Sequence, residues 1–363
     1  MPEHAIQSLR NKMDALGCDA CFSVAPPTNQ YLSGLMTAFY EISSAIVVTS
    51  NEAHFLCDFR YTEQANEEVT GFTITEISGD QIIRGAEKLN DLGAKKVLFD
   101  PHGLTFAEYE RWNNKLSGEP VPNATLADEL RLVKSAEEID TIREASELAE
   151  GVLIDILPQL TEGVIEKEIA ALFEFEFKKR GASGCSFDTI ALFGAKSSLP
   201  HGEPAQKKLS PGDIMLFDFG CRKNGYCSDM TRTYVYEKSP GDWFDEIYNV
   251  TLEAQLAALD AIKPGVIGQD IDGIARSIIS DAGYGEFFGH GLGHGVGIEI
   301  HENPRLNKES KTILQPGMVV TNEPGIYLPG KGGVRIEDLV VVTEEGCDIL
   351  TKETKELTVI SNS

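Results

Sequence analysis

The sequence predicts a two-domain α+β protein, with a smaller α/β domain over residues 1–130 and a larger α+β domain over residues 131–363. Three observations predict it. The 363 residues exceed what one ordinary hydrophobic core needs. Short strand-like runs alternate with helical stretches as far as Ala127. A capping box then opens a long amphipathic helix at Ser135, which places the boundary just before it, around Glu129.

In the first helix Ile6, Leu9, Met13 and Leu16 recur at spacings of three and four, with Gly17 placed to stop it. Strands are expected at 45–49, 54–61, 72–77 and 97–100, separated by polar or glycine-containing turns. Behind Ser135-Ala-Glu-Glu138, the side chains of Ile139, Ile142, Leu148, Ala149, Val152 and Ile156 make one apolar face. No low-complexity tract or short-period repeat interrupts this order. From Ser186 onward the chain becomes rich in glycine, histidine and isolated acids set into apolar strands.

Charge excludes several function classes. With 32 Lys+Arg against 57 Asp+Glu, the formal charge of −25 repels nucleic-acid phosphates and anionic bilayers, so neither is an expected partner. No apolar run approaches the ~18 residues of a membrane span. The start, Met1-Pro2-Glu3-His4, lacks a basic segment followed by an apolar one, and the expected location is the cytoplasm. Seven cysteines, spread from Cys18 to Cys347, are expected as free thiols. Cys18-Asp-Ala-Cys21 has the spacing of a redox or zinc knuckle, but no second pair follows it.

Asp218 sits in the apolar strand Ile214-Met-Leu-Phe-Asp-Phe-Gly220, where a bare carboxylate needs a cation or a dense set of donors. Asp229 follows, with the hairpin signal Asn224-Gly225 between them. A two-residue turn there sets Tyr226 against Lys223 and Asp229 against Gly220, making Asp218 and Asp229 diagonal neighbours on one face. Glu323 and Glu337 flank a second turn, Leu328-Pro-Gly-Lys-Gly-Gly333, and folding about Gly330 brings them opposite each other.

Three of the seven histidines, His290, His294 and His301, fall between these hairpins. Glycines at 289, 291, 293, 295 and 297 make a helix expensive there, so an extended segment is expected. His290 and His294 then share a face, and His301 shows the other unless a bend or bulge intervenes. Four converging carboxylates would repel one another, and two divalent cations would neutralise them. An oxygen-rich site with one imidazole suits Mn²⁺ or Co²⁺, and also Zn²⁺ or Fe²⁺.

These residues resemble the pita-bread metallopeptidases (family M24), which include methionine aminopeptidase, aminopeptidase P and prolidase. The resemblance runs through Asp-Phe-Gly, Ser-Asp-Met-Thr-Arg-Thr, Gly-His-Gly-Val-Gly, Asn-Glu-Pro-Gly and Arg-Ile-Glu-Asp. It covers about residues 135–342. It implies a pita-bread fold built as a pseudo-symmetric pair of ααβββ-type units, with Asp218, Asp229, His294, Glu323 and Glu337 as ligands of two divalent metal ions. In the amino-terminal domain, Asn29-Gln-Tyr-Leu-Ser-Gly34 and Asp58-Phe-Arg-Tyr61 are similar to the proline-specific branch, whose first domain is creatinase-like.

The resemblance further implies an Xaa-Pro peptide substrate, either a dipeptide or a longer peptide, a homodimer, and a metal-bridging hydroxide as nucleophile. Glu323 is the expected proton shuttle, His290 and His301 the expected hydrogen-bond partners of substrate and oxyanion, and His201 the border of the proline subsite. Arg335, two residues before Glu337, would share its strand face and either tune the site's charge or contact substrate. Arg305 resembles an arginine that some small prolidases use on a substrate carboxylate. Phe187, Phe193 and Tyr327 are candidates for an apolar wall. The alternatives are a methionine aminopeptidase-like enzyme and a non-catalytic peptide-binding module on the same fold. Gly181-Ala-Ser-Gly184 is not a nucleophile elbow, and Asp218-Phe-Gly220 lacks the loops of a kinase.

Overall fold

The computed structural model describes residues 2–35 and 44–361, so Met1 of the signal-peptide reading lies outside the described residues. Two compact units, Met1–Arg131 and Leu132–Ser363, divide the chain. The first is an α/β unit with strands β1 (Ala20–Ser23), β2 (Ser44–Thr49), β3 (Ala53–Cys57), β4 (Thr73–Glu76), β5 (Lys96–Phe99) and β6 (Glu119–Pro122). They form one mixed sheet in the order β4-β3-β2-β1-β5-β6. Helices α1 (Pro2–Ala15), α2 (Pro26–Ser33), α3 (Phe59–Glu68), α4 (Gln81–Asp91), α5 (Phe106–Lys115) and α6 (Leu126–Arg131) complete the unit.

The strand expected at 54–61 is shorter than that. Asp58 accepts a hydrogen bond from the Arg60 amide and caps α3, so the extended run ends at Cys57. Cys21 lies in β1, which the sequence reading passed over. All seven cysteines are free, and burial pushes the Cys21 and Cys221 thiols up to about 12. No described helix is long and apolar enough to cross a membrane.

The second unit repeats one pattern twice. Helices α7 (Ala136–Ile156) and α8 (Glu166–Lys179) precede β7 (Gly184–Cys185), β8 (Ile190–Phe193), β9 (Ile214–Phe219), β10 (Cys221–Lys223), β11 (Tyr226–Cys227) and β12 (Met230–Tyr236). Helices α9 (Asp242–Ala261) and α10 (Gly268–Asp281) precede β13 (Gly293–Gly295), β14 (Glu302–Leu306), β15 (Val319–Asn322), β16 (Gly325–Leu328), β17 (Gly332–Arg335), β18 (Asp338–Val342) and β19 (Cys347–Ile349). Ser135 caps α7 with the reciprocal Glu138 bond of a capping box.

The duplication is visible in matched backbone ties. Gly163 donates to the Leu209 carbonyl and Leu209 returns a bond to Val164, both 2.9 Å; Gly265, Leu314 and Val266 do the same at 2.9 Å. Leu209-Ser-Pro-Gly212 and Leu314-Gln-Pro-Gly317 are the corresponding sequences, and Asp218 and Glu323 each lie nine residues beyond the leucine. The two acids are thus equivalent positions of the two halves.

Each half has its own apolar core. One gathers Phe173, Phe177, Phe217 and Phe219 beneath α7 and α8. The other gathers Ile247, Tyr248, Ile271, Ile326 and Val340 beneath α9 and α10. Burial of these side chains, worth roughly 1.5–3 kcal/mol each, holds the acid-bearing strands against their helices.

Candidate metal centre

The first acidic pair is set by hairpin register. Lys223 pairs with Tyr226 across Asn224-Gly225, and beyond the hairpin Phe219 pairs with Met230 and Asp218 with Thr231. Asp229, one residue before Met230, is therefore diagonal to Asp218 on one face. The second pair follows the same logic: Asn322 pairs with Asp338 and Gly325 with Arg335, a register that sets Glu323 opposite Glu337.

His294 lies on β13, between β14 and β15. The alternating glycines make this possible, because a Cβ on Gly293 would collide with the Thr321 carbonyl and one on Gly295 with the Asn303 carbonyl. The register shifts within β13, between His294 and Gly295, the chain bends beyond it, and the His301 ring comes within 4.4 Å of the His294 ring, centroid to centroid. Of the two expectations for His301, the bend is the one realised.

Ligand atoms of Asp229, His294 and Glu337 lie within 4.8 Å of one another. His294 Nε2 is 3.6 Å from Asp229 Oδ2 and 3.3 Å from Glu323 Oε1. Its Nδ1 faces the Gly295 carbonyl at 3.1 Å, so Nε2 is the ring nitrogen directed at the acids. Asp218 Oδ2 accepts from Arg335 Nη2 at 2.5 Å, while its buried Oδ1 has no hydrogen-bond partner. All five residues line one cavity of about 490 Å³.

The electrostatics of this cavity favour a cation. Burial, then the charges of Glu337, Asp218 and Glu323, push Asp229 well above the carboxylate range. Burial, then Glu323 and Asp218, do the same to Glu337. Burial also raises Asp218, against the pull of Arg335. At Glu323 burial acts upward too, but His294, His290 and Arg335 bring it down to about 2. Four carboxylates cannot all ionise here unaided. An orphaned carboxylate oxygen, acids pushed upward by burial and by one another, and an imidazole nitrogen among them are a donor set that divalent ions fit.

The remaining predicted residues differ in placement. His201, His301 and Arg305 are exposed at the cavity wall. Loss of hydration, then His294 and Arg305, bring His301 down to about 4. His290 also lines the cavity, but both its ring nitrogens meet protein atoms, Nδ1 the Gly291 carbonyl at 2.8 Å and Nε2 the Tyr327 hydroxyl at 2.9 Å. Arg335 is buried, bonding Asp218, the Thr231 hydroxyl at 3.0 Å and the Tyr327 hydroxyl at 2.9 Å.

Phe187 lines the cavity, whereas Phe193 packs edge-on against Phe217 in the core. Tyr327 acts through its hydroxyl, not as a flat wall. The sequence reading also passed over two threonines: Thr231 donates to Glu337 at 2.7 Å and Thr321 to Glu323 at 3.1 Å. Their signal was period two, since Thr321 stands two residues before Glu323 and Thr231 two after Asp229.

Known proteins share this architecture. The pattern of Metallopeptidase family M24 matches residues 140–344, and that of the Creatinase/Prolidase N-terminal domain matches residues 6–133. The structure of an Xaa-Pro dipeptidase from Bacillus anthracis superposes with a TM-score of 0.93 at 39% identity, covering 99% of this chain and 100% of that one. An X-Pro aminopeptidase from Thermotoga maritima superposes at 0.88 with 36% identity, covering 96% and 100%. An Xaa-Pro dipeptidase of Pyrococcus furiosus is 38% identical over 97% of this chain and 99% of its own. The M24 match spans both acidic hairpins and the histidine strand between them, and the chain therefore belongs to metallopeptidase family M24, with a pita-bread catalytic domain behind a creatinase-type amino-terminal domain.

Proposed function

We propose that the protein is an Xaa-Pro exopeptidase working with two divalent metal ions, and that dipeptides are its preferred substrates. The observation that carries this reading is the convergence of five candidate ligands on one cavity that also presents His201, His301 and Arg305. Asp218, Asp229, His294, Glu323 and Glu337 would hold the ions, with Mn²⁺ or Co²⁺ suiting the donor set and Zn²⁺ possible. When bound, such ions polarise a substrate carbonyl and acidify water at neutral pH.

The chain's own groups supply the rest. Glu323, its carboxylate steadied by the Thr321 hydroxyl, takes the proton of the attacking water at Oε and delivers it to the leaving proline nitrogen. His301 donates to the substrate, and His201 borders the proline ring. His290, bonded to Tyr327, reaches substrate only by exchanging that bond. Arg335 balances the charge of Asp218. The Arg305 fork matches the free carboxylate of a dipeptide. Because an Xaa-Pro bond carries no N–H, no acceptor is needed there, and Phe187, Ile190 and Pro200 offer apolar surface instead.

The test is an assay of an Xaa-Pro dipeptide beside an Xaa-Pro-Yaa tripeptide, with Mn²⁺ present and after chelation. The expected result is faster hydrolysis of the dipeptide, lost on chelation and restored by Mn²⁺. Preferential release of amino-terminal methionine, or hydrolysis indifferent to chelation, would overturn the reading.

A further inference from the structure

We propose that Asp272 and Arg276, on α10, are positioning residues that hold the backbone of residues 288–292, and through it His290 and Glu323, in their working geometry. Arg276 forks onto Asp272 with two bonds of 2.8 Å. Its remaining donors reach the Phe288 carbonyl at 2.9 Å and the His290 carbonyl at 2.7 Å. Asp272 Oδ1 accepts in turn from the Leu292 amide at 3.0 Å.

Residues 288, 290 and 292 alternate along one edge of a segment that belongs to no strand. The ion pair satisfies that edge as a neighbouring strand would. Leu292 is also tied to the acid site, because its carbonyl accepts from the Glu323 amide at 2.9 Å. Leu292 thus links the clamp directly to Glu323, and His294 follows two residues later. The guanidinium also lies over the Phe288 ring at 4.2 Å, and that ring stands edge-on to His290 at 5.1 Å.

Gly289 and Gly291 give this stretch no conformation of its own. Asp272 is buried and the Arg276 side chain is 15% exposed, and a largely buried pair of this kind adds little net stability over an apolar one. Its donors go to alternate backbone carbonyls, those of Phe288 and His290, which is a geometric task. Lysine could not perform it, since it lacks the planar fork that serves two carboxylate oxygens and two carbonyls together.

The inference rests on the functional reading above, and the experiment separates the two. Arg276→Met and Arg276→Lys are compared with the wild-type protein, loaded with Mn²⁺, for kcat and KM on an Xaa-Pro dipeptide, thermal midpoint, and amide hydrogen exchange. Arg276→Met is expected to lower kcat by about 10²-fold with KM changed far less, as displacement of reacting groups does. Arg276→Lys should recover only part of that loss. The Leu292 and Glu323 amides should exchange faster in both variants, with α7 and α8 unchanged. Wild-type kcat with only a lowered midpoint, or unaltered exchange at Leu292 and Glu323, would overturn the proposal. If Arg276→Met does not fold, Arg276→Lys alone decides by the same criteria. If the wild-type protein cleaves no Xaa-Pro peptide, the functional reading falls, while the exchange result still decides the clamp.

Discussion

Replacing Glu323 by glutamine is expected to lower kcat by about 10²–10⁴-fold, the range spanned by loss of a positioned proton-transfer group. The substitution keeps an oxygen toward the cation site and an acceptor for the Thr321 hydroxyl, so binding of metal and substrate should suffer much less than turnover. In the absence of metal, His294, His290 and Arg335 outweigh the burial of Glu323 and bring it down to about 2. Glu323 thus carries a carboxylate able to accept a proton, whereas burial and the neighbouring acids push Asp229 and Glu337 upward. Steady-state kinetics with metal analysis of the purified variant checks this. Unchanged kcat with full metal content would remove Glu323 from proton transfer.

The largest effect on stability is expected from Arg335→Met. Arg335 is 3% exposed and donates to Asp218. Its removal leaves a buried carboxylate unbalanced and strips a donor from the Tyr327 hydroxyl, a change that costs about 3–5 kcal/mol where buried pairs are broken. The penalty should be greatest in metal-stripped protein and smaller with Mn²⁺ bound, since a bound cation compensates Asp218. Denaturant unfolding with and without metal measures it, and an equal penalty in both states would mean that Asp218 does not face the cation.

Local signals made much of this protein legible. The Asn224-Gly225 turn and the glycine-rich turn about Gly330 each fix a two-stranded register, and register alone puts Asp218 beside Asp229 and Glu323 opposite Glu337. Ser135 and Glu138 mark the start of α7 because a capping box is written in four consecutive residues. Long-range signals were harder to read. His301 reaches His294 through a bend, which residue periodicity does not encode. The amino-terminal sheet includes β1, four residues long and buried throughout, which carries no alternation to betray it. Phe193 and Tyr327 look alike as aromatic wall candidates, yet one packs against Phe217 and the other is held by Arg335 and His290. The internal duplication was written in Gly163-Val-Ile165 and Gly265-Val-Ile267, but its long period hides it from a search for short repeats.

The central claim is that the cavity concentrates more negative charge than it tolerates without dications. Thermal melts of wild-type protein and Glu337→Gln, each stripped of metal and each with Mn²⁺, test it most directly. Glutamine preserves the acceptor for Thr231 and removes one repelling carboxylate. The stripped variant is expected to melt above the stripped wild type, by roughly 2–4 °C per kcal/mol of relieved repulsion, and Mn²⁺ to reverse the order by stabilising the wild type more. A stripped wild type at least as stable as the stripped variant, with a midpoint that Mn²⁺ does not move, would contradict it.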